Sequence, residues 1–335
     1  MSDPLWISEQ DVVSMMDMPQ AIDALEKGLL SEARGEASNM VKTHVEWGSG
    51  STLHAIGAVF SQAGFVGTKT WAHTEKGATP LLILFDSNTG QLKAIIEAFA
   101  LGQLRTGSAS GVATRRLATE DASEFAIIGT GKQAMPQLAA VVAVRPIQRI
   151  RVFGRDEGRR NAFAERVTTE FGIDIIPAAS IDEAVRHVPI VTIVTRATQP
   201  IVNAQMLDRG THINAVGAIV PSRAEVAADV LTRSTVIVAD SIPQAQKLSR
   251  EMIEFFGPDP ARWTSVTSLA TLVASVRNRT SSDDLTLFKS LGMGISDLSL
   301  GIELYQRATE RGLGRTLPHP QKASPNLRAI QQIGA

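Results

Sequence analysis

No cysteine occurs among the 335 residues. Its absence excludes disulfides, thiolate nucleophiles and every metal site that needs a thiolate. Neither charge is in excess. Lys and Arg number 33 against 34 Asp and Glu, a formal net charge of -1, so no basic field is available to attract nucleic acid. No apolar run approaches the roughly 18 residues that span a bilayer. The N-terminus, with Asp3, Glu9, Asp11 and Asp17, lacks the basic, apolar, then small-residue order of a secretory signal. These absences point to the cytoplasm and away from a membrane. The histidines His44, His54, His73, His187, His212 and His319 form no H-x-x-x-H pair, which leaves a zinc ion without a ligand set. There is no G-x-S-x-G elbow either, so hydrolase chemistry has no foothold.

What is there is a soluble globular composition, 44% hydrophobic and 20% charged, on a chain long enough for two domains. Residues 18 to 33 space Ile22, Leu25, Leu29 and Ala33 as a surface helix. From 41 to 100 short runs around Gly48-Ser49-Gly50, Gly64 and the turn DSNTG (86–90) predict an antiparallel sheet, followed by a helix over 101–118. From about 122 onward, FAIIG, RIRVFG, VPIVTIVT, HINAVG and TVIVAD are Val- and Ile-rich runs. Helical stretches such as 156–171 separate several of them. That alternation predicts βαβ units and a Rossmann-type, doubly wound parallel sheet, an α/β fold. A last helix over about 297–312 is expected to return to the first domain.

Gly129-Thr130-Gly131-Lys132-Gln133-Ala134 fits G-x-G-x-x-A directly after the run FAIIG and before a helix. Its first glycine turns the chain, and its second lets backbone N–H groups approach a pyrophosphate. The next strand ends RVFGRDEGRR, where an NAD enzyme commonly carries an acid for the ribose 2′-OH. Gly154 stands there instead, followed by Arg155 and, one turn later, Arg159. NADP is favoured; Asp156 would serve NAD if the strand ended two residues later. In FVGTKTWAH (65–73), period two puts Phe65, Gly67, Lys69, Trp71 and His73 on one face. Lys69 there is a proton donor and carboxylate ligand if buried, or a snorkelling surface cation if not. In QLRTGSASGVATRRLA (103–118), Arg105 is followed by Gly107, Ser108, Ala109, Ser110 and Gly111. Those small residues admit close approach of a cofactor or another segment, and Arg105 offers a planar fork for a carboxylate.

Five ordered motifs, GTK (67–69), LRTGSAS (104–110), GTGKQA (129–134), INAVGA (213–218) and LFKSLGMGISDL (287–298), resemble the ornithine cyclodeaminase and mu-crystallin family over nearly the whole chain. The resemblance implies a dinucleotide-binding domain, 119–296, inserted in a second α+β substrate and dimerisation domain, 1–118 with 297–335. The active site would lie in the cleft between them. It implies a homodimer acting on a small imino or amino acid. It makes Lys69 and Arg105 the pair that meets the substrate carboxylate, with Lys42 of NMVKTH where the family has an arginine. Thr106, Ser290 and Gly292 join the glycine turn on the nucleotide side. Family deaminases and alanine dehydrogenases carry an aspartate two residues before the proline of the 213–226 segment; here Ile219 stands in its place. An isoleucine handles no proton. The reading that follows is an NADPH-dependent reductase of the C=N bond of a cyclic ketimine or imino acid such as pyrroline-2-carboxylate. The alternatives are an ornithine cyclodeaminase or alanine-type dehydrogenase that recruits Asp297 or Glu225, and a non-catalytic NADP-dependent binding protein. In the first alternative Asp297 also has a plainer reading, as the cap of the last helix.

Overall fold

Alternation of side chains along the chain between 37 and 97 builds one face of a mostly antiparallel sheet. On the strand Phe65–Thr74 the buried positions are Phe65, Gly67 and Lys69, the expected period of two. The computed structural model describes residues 3–48 and 50–327. Ser49 of the glycine-rich turn, residues 1 and 2, and the stretch 328–335 of the expected second domain lie outside them. This first sheet runs in the order Arg315–Thr316, Leu5–Ile7, Leu92–Glu97, Leu81–Asp86, Phe65–Thr74, Ser51–Phe60, Ala37–Asn39. Thr43–Trp47 is added on Ser51–Phe60 and Gly77–Ala78 on Phe65–Thr74. Leu5–Ile7 pairs in parallel with Leu92–Glu97; the other pairings are antiparallel.

The second sheet is parallel throughout: Asp174–Pro177, Arg149–Phe153, Glu124–Ile128, Ile190–Ile193, His212–Ala215, Leu285–Lys289, Ser234–Ala239, Val266–Ser268. The runs FAIIG, VPIVTIVT and HINAVG are central strands buried on both faces, while RIRVFG, next to the edge, buries alternate residues only. Its order reverses between Glu124–Ile128 and Ile190–Ile193. That is the switch point at which such sheets leave a crevice beyond their carboxyl ends. Gly129 begins there.

Helices join the two sheets. The helix Phe99–Leu117, called the cleft helix below, lies between Met18–Ala33 and Ala134–Val142 because its small residues leave room. A Cβ at Gly107 would press on Met18 and the Pro136 carbonyl, and one at Gly111 on Ile22. Gln137 donates from its side-chain amide to the Thr106 carbonyl at 3.0 Å. The last helix, Gly294–Arg311 (the closing helix), does return to the first sheet and buries Leu298, Leu300, Leu304 and Tyr305 there. It begins three residues earlier than the sequence indicated, and Asp297 is not its cap. The N-cap is Met293, with no side-chain cap bond. The Ile295 N–H is met instead by the Asn39 side-chain oxygen at 2.9 Å, a cap supplied from a distant strand. A Cβ at Gly294 would collide with the Gly57 carbonyl, so only glycine lets this helix end sit on the Ser51–Phe60 strand.

Candidate active site

Seating the closing helix on Gly57 brings Asp297 against Lys69, because Ile56 and Lys69 are direct cross-strand partners. Both side chains are buried. The Lys69 ammonium donates to Asp297 Oδ1, and Arg105 Nε lies 3.4 Å from the same oxygen. Asp297 Oδ2 is buried with no hydrogen-bond partner among the described residues. Lys69 is therefore no surface cation. Burial outweighs the Asp297 charge and pulls its ammonium down to about 8. The ammonium also lies 5.3 Å from the centroid of the Trp71 ring, which stacks on His54 at 4.6 Å. Burial, then the Lys42 charge, lowers the His54 imidazole to about 4, so the ring behind Trp71 is neutral at physiological pH.

Lys42 belongs to the same cluster but not to a strand. It lies between Ala37–Asn39 and Thr43–Trp47, half-buried, and both burial and Arg105 lower its ammonium. Two cations, Lys69 and Arg105, thus meet the Asp297 carboxylate, and Lys42 lies in the field of Arg105, Asp240 and Asp297. Lys42 leaves the planar fork to Arg105 alone.

On the facing sheet, Ser290, Leu291 and Gly292 leave the end of Leu285–Lys289 and turn beside Arg105, whose Nη1 would lie 3.2 Å from a Cβ at Gly292. The turn is held by Asp240, a residue the sequence reading passed over although it ends the run TVIVAD. Its carboxylate accepts from the Ser290 hydroxyl (3.0 Å) and from the N–H groups of Leu291 (2.8 Å) and Gly292 (2.7 Å). Burial still pushes that carboxyl up from its ordinary value. The Ser290 hydroxyl is consequently bonded inward to Asp240.

The glycine turn fits a dinucleotide. Gly129 has φ +113°, and a Cβ there would strike the Val194 carbonyl. Gly131 has open space where its Cβ would be, and Lys132 is exposed. The helix Ala134–Val142 starts at Gln133 with no side-chain cap, which leaves its first turn to an anion. Thr106 sits on the cleft helix one turn from Gly102, to whose carbonyl its hydroxyl donates at 2.8 Å. The strand Arg149–Phe153 ends where expected, and Asp156 N-caps the following helix by accepting from the Arg159 N–H at 2.9 Å. A Cβ at Gly154 would sit 3.0 Å from the Thr130 hydroxyl oxygen, so a longer side chain there would displace Thr130. Arg155 and Arg159 are exposed beside the turn.

Glu225 is not a free acid. Its Oε1 accepts from the Thr195 N–H (2.7 Å) and hydroxyl (2.8 Å), and its Oε2 from the N–H groups of Gly217 (2.7 Å) and Ala218 (3.0 Å). It is a buried staple between the loops leaving Ile190–Ile193 and His212–Ala215. Ile219 follows on the second of these loops, its side chain partly exposed, at the carboxyl end of the sheet from which Ser290 also departs: the Ser290 N–H donates to the Ala215 carbonyl at 3.1 Å. Among the described residues no group of three His, Asp or Glu could hold a metal, and no helix is long and apolar enough to cross a membrane.

A Rossmann-type sheet with a glycine turn at its switch point, joined to a second sheet that carries Lys69 beside Arg105, defines a two-sheet protein of the dinucleotide-binding fold. The chain belongs to the ornithine cyclodeaminase/mu-crystallin family, whose model matches residues 3–312. It is 31% identical over 245 residues to a Δ1-pyrroline-2-carboxylate reductase of Bacillus cereus, covering 72% of this chain and 75% of that one. A Thermococcus litoralis Δ1-pyrroline-2-carboxylate reductase solved with NADH and L-proline superposes with a TM-score of 0.86 at 28% identity, over 93% of this chain and 100% of that one. An archaeal alanine dehydrogenase dimer with bound NAD superposes equally well, 0.86 at 26% identity, over 95% and 99%.

Proposed function

We propose that the protein is an NAD(P)H-dependent reductase of a C=N bond adjacent to a carboxylate, with a cyclic ketimine acid such as pyrroline-2-carboxylate as the substrate type. The observation that carries this reading is the buried Lys69 ammonium, paired with Asp297 and flanked by Arg105, at a site with isoleucine instead of a carboxylate at 219. A reduced nicotinamide, when bound, supplies the hydride. The chain's own residues do the rest. Arg105 grips the substrate carboxylate with its fork, and Lys42 and Lys69 complete the cationic cradle. Lys69 gives a proton to the imine nitrogen, since an ammonium held near 8 is still charged at neutral pH and is a far better acid than an unperturbed lysine. Asp297 holds that ammonium in place. Trp71, backed by His54, covers it on another side and keeps water away. Ile219 supplies no carboxylate to handle an amino group or a water, so Lys69 is left as the group that exchanges a proton with the substrate nitrogen.

Reading 119–296 as the nucleotide domain and the remainder as the substrate and dimerisation domain accords with this division of labour. The exposed apolar side chains Val45, Trp47 and Leu53 on the first sheet, with Val41 just before them, support a homodimer through that face. NADPH is the proposed nucleotide, because no acid occupies the end of Arg149–Phe153 and Arg155 stands free to meet a 2′-phosphate. Arg155→Ala is expected to raise the KM for NADPH about tenfold, the loss of one charge-assisted contact, and to leave that for NADH near the wild-type value. Equal values for both nucleotides in the wild type would remove the preference.

Arg105→Lys retains charge without the fork. Steady-state kinetics should then show KM for the imino acid rising at least about tenfold with kcat changed much less. The reading itself is tested by nucleotide oxidation with pyrroline-2-carboxylate and NADPH, set against nucleotide reduction with ornithine or alanine and NAD. Imine reduction alone is expected, and turnover of ornithine without imine reduction would overturn it.

A further inference from the structure

Behind the cation cluster lies a carboxylate with no place in the chemistry above. Glu32, on the helix Met18–Ala33, accepts at Oε1 from the Asn39 amide at 2.7 Å, and the same Asn39 takes the Ile295 N–H of the closing helix. Its Oε2 is buried without a partner among the described residues. Charged neighbours on the packed elements are few. Ala37–Asn39, Ala134–Val142 and Leu269–Ala274 contain no titratable side chain. Arg115 and Arg116 of the cleft helix are bound to Asp23 and Glu26, and Arg307 of the closing helix to Glu303, Gln20 and the Met15 carbonyl. Glu310 and Arg311 lie at that helix's far end. Lys27 lies on the same helix, with Arg34 and Glu36 just beyond its end; the charge that acts on Glu32 is Asp240, which in turn lies in the field of Arg105 and Lys42, and these in that of Lys69 and Asp297.

Three carboxylates, Glu32, Asp240 and Asp297, therefore stand against three cations, Lys42, Lys69 and Arg105. A substrate carboxylate adds a negative charge to a balanced, poorly solvated group, and the carboxylate that is least well served by donors takes up a proton most readily. Asp297 has two cations and Asp240 three donors; Glu32 has one amide and a bare oxygen. We propose that Glu32 is the proton acceptor coupled to anion binding, so that a substrate carboxylate arriving among Lys69, Arg105 and Lys42 brings one proton to Glu32 Oε2, and the proton leaves when the anion does.

This rests on the carboxylate-anchor reading of the cluster. Burial, opposed by the Asn39 bond and aided by the Asp240 charge, raises the Glu32 carboxyl to about 7. Below that pH it is protonated, the cluster is net positive and an anion is welcome; above it the cluster is neutral and affinity for the anion falls, before Lys69 begins to discharge near 8. Glu32 is thus a residue that sets substrate affinity without touching substrate.

The test is calorimetric titration of the full chain, with saturating NADP, by pyrrole-2-carboxylate, a flat anion that is not reduced, at pH 7 in two buffers of different ionisation heat. About half a proton should be taken up per site in the wild type, the fraction ionised before binding. In E32Q, which keeps the acceptor for Asn39, uptake should fall close to zero while the anion binds about twofold tighter at pH 7 and about tenfold tighter at pH 8. Infrared difference spectra of the wild type should gain a protonated-carboxyl band on binding, a measurement that needs no variant. Binding without proton uptake, uptake unchanged in E32Q, or no new band would overturn the role of Glu32 and leave the anchor standing. No binding of pyrrole-2-carboxylate would overturn both.

Discussion

Lys69→Met is expected to lower kcat/KM for imine reduction by about a thousandfold, the middle of the range for a positioned general acid, while NADPH binding measured by fluorescence stays near wild type. The argument runs through Asp297. Methionine fills the same volume but leaves the buried carboxylate with only Arg105, and breaking a buried pair costs about 3–5 kcal/mol of stability. A loss of activity could then reflect a loosened closing helix. The double variant K69M/D297N removes both charges and separates the two effects. It should recover most of the stability lost by the single variant and none of the turnover. Recovery of turnover together with stability would show that Lys69 acts only as a structural ion-pair partner.

Glu225→Ala should destabilise the protein by about 3–5 kcal/mol in urea unfolding, since removal of the carboxylate strands the N–H groups of Thr195, Gly217 and Ala218 and the Thr195 hydroxyl in a buried place. The pH dependence of kcat in the folded fraction should be unaltered, because a carboxylate fully engaged by four donors carries no proton in the reaction. A lost or displaced limb in that profile would restore Glu225 as an acid/base group in place of the aspartate missing at 219.

Much of the architecture was legible because its signals are local. Runs such as FAIIG and TVIVAD can be buried on both faces only in a parallel sheet, and the glycine turn is a backbone requirement written in sequence. Period two along 65–73 put Lys69 and Trp71 on one face correctly. What the sequence could not disclose was what that face meets. Asp297 lies 228 residues from Lys69, and its role appears only when the closing helix settles on Gly57. The start of that helix was misplaced for a related reason. Helix beginnings are read from local caps, which favoured Asp297, whereas this one is capped by Asn39 from another element. Asp240 had a usable signal, an acid at the carboxyl end of a parallel strand next to the LFKSLG turn. Glu32 had none, since an acid on a surface helix is ordinarily solvated.

The central claim is that a buried lysine ammonium delivers the proton that accompanies hydride to an imine. Its most direct measurement is kcat/KM for pyrroline-2-carboxylate reduction by E32Q, in which the Glu32 ionisation is absent, from roughly pH 6 to pH 10, with the substrate's own protonation divided out. Because burial holds Lys69 at about 8 and only its charged form donates, activity should be retained below that pH and fall tenfold per unit above it. A profile that stays level to the alkaline end, or climbs as lysine discharges, would contradict the account.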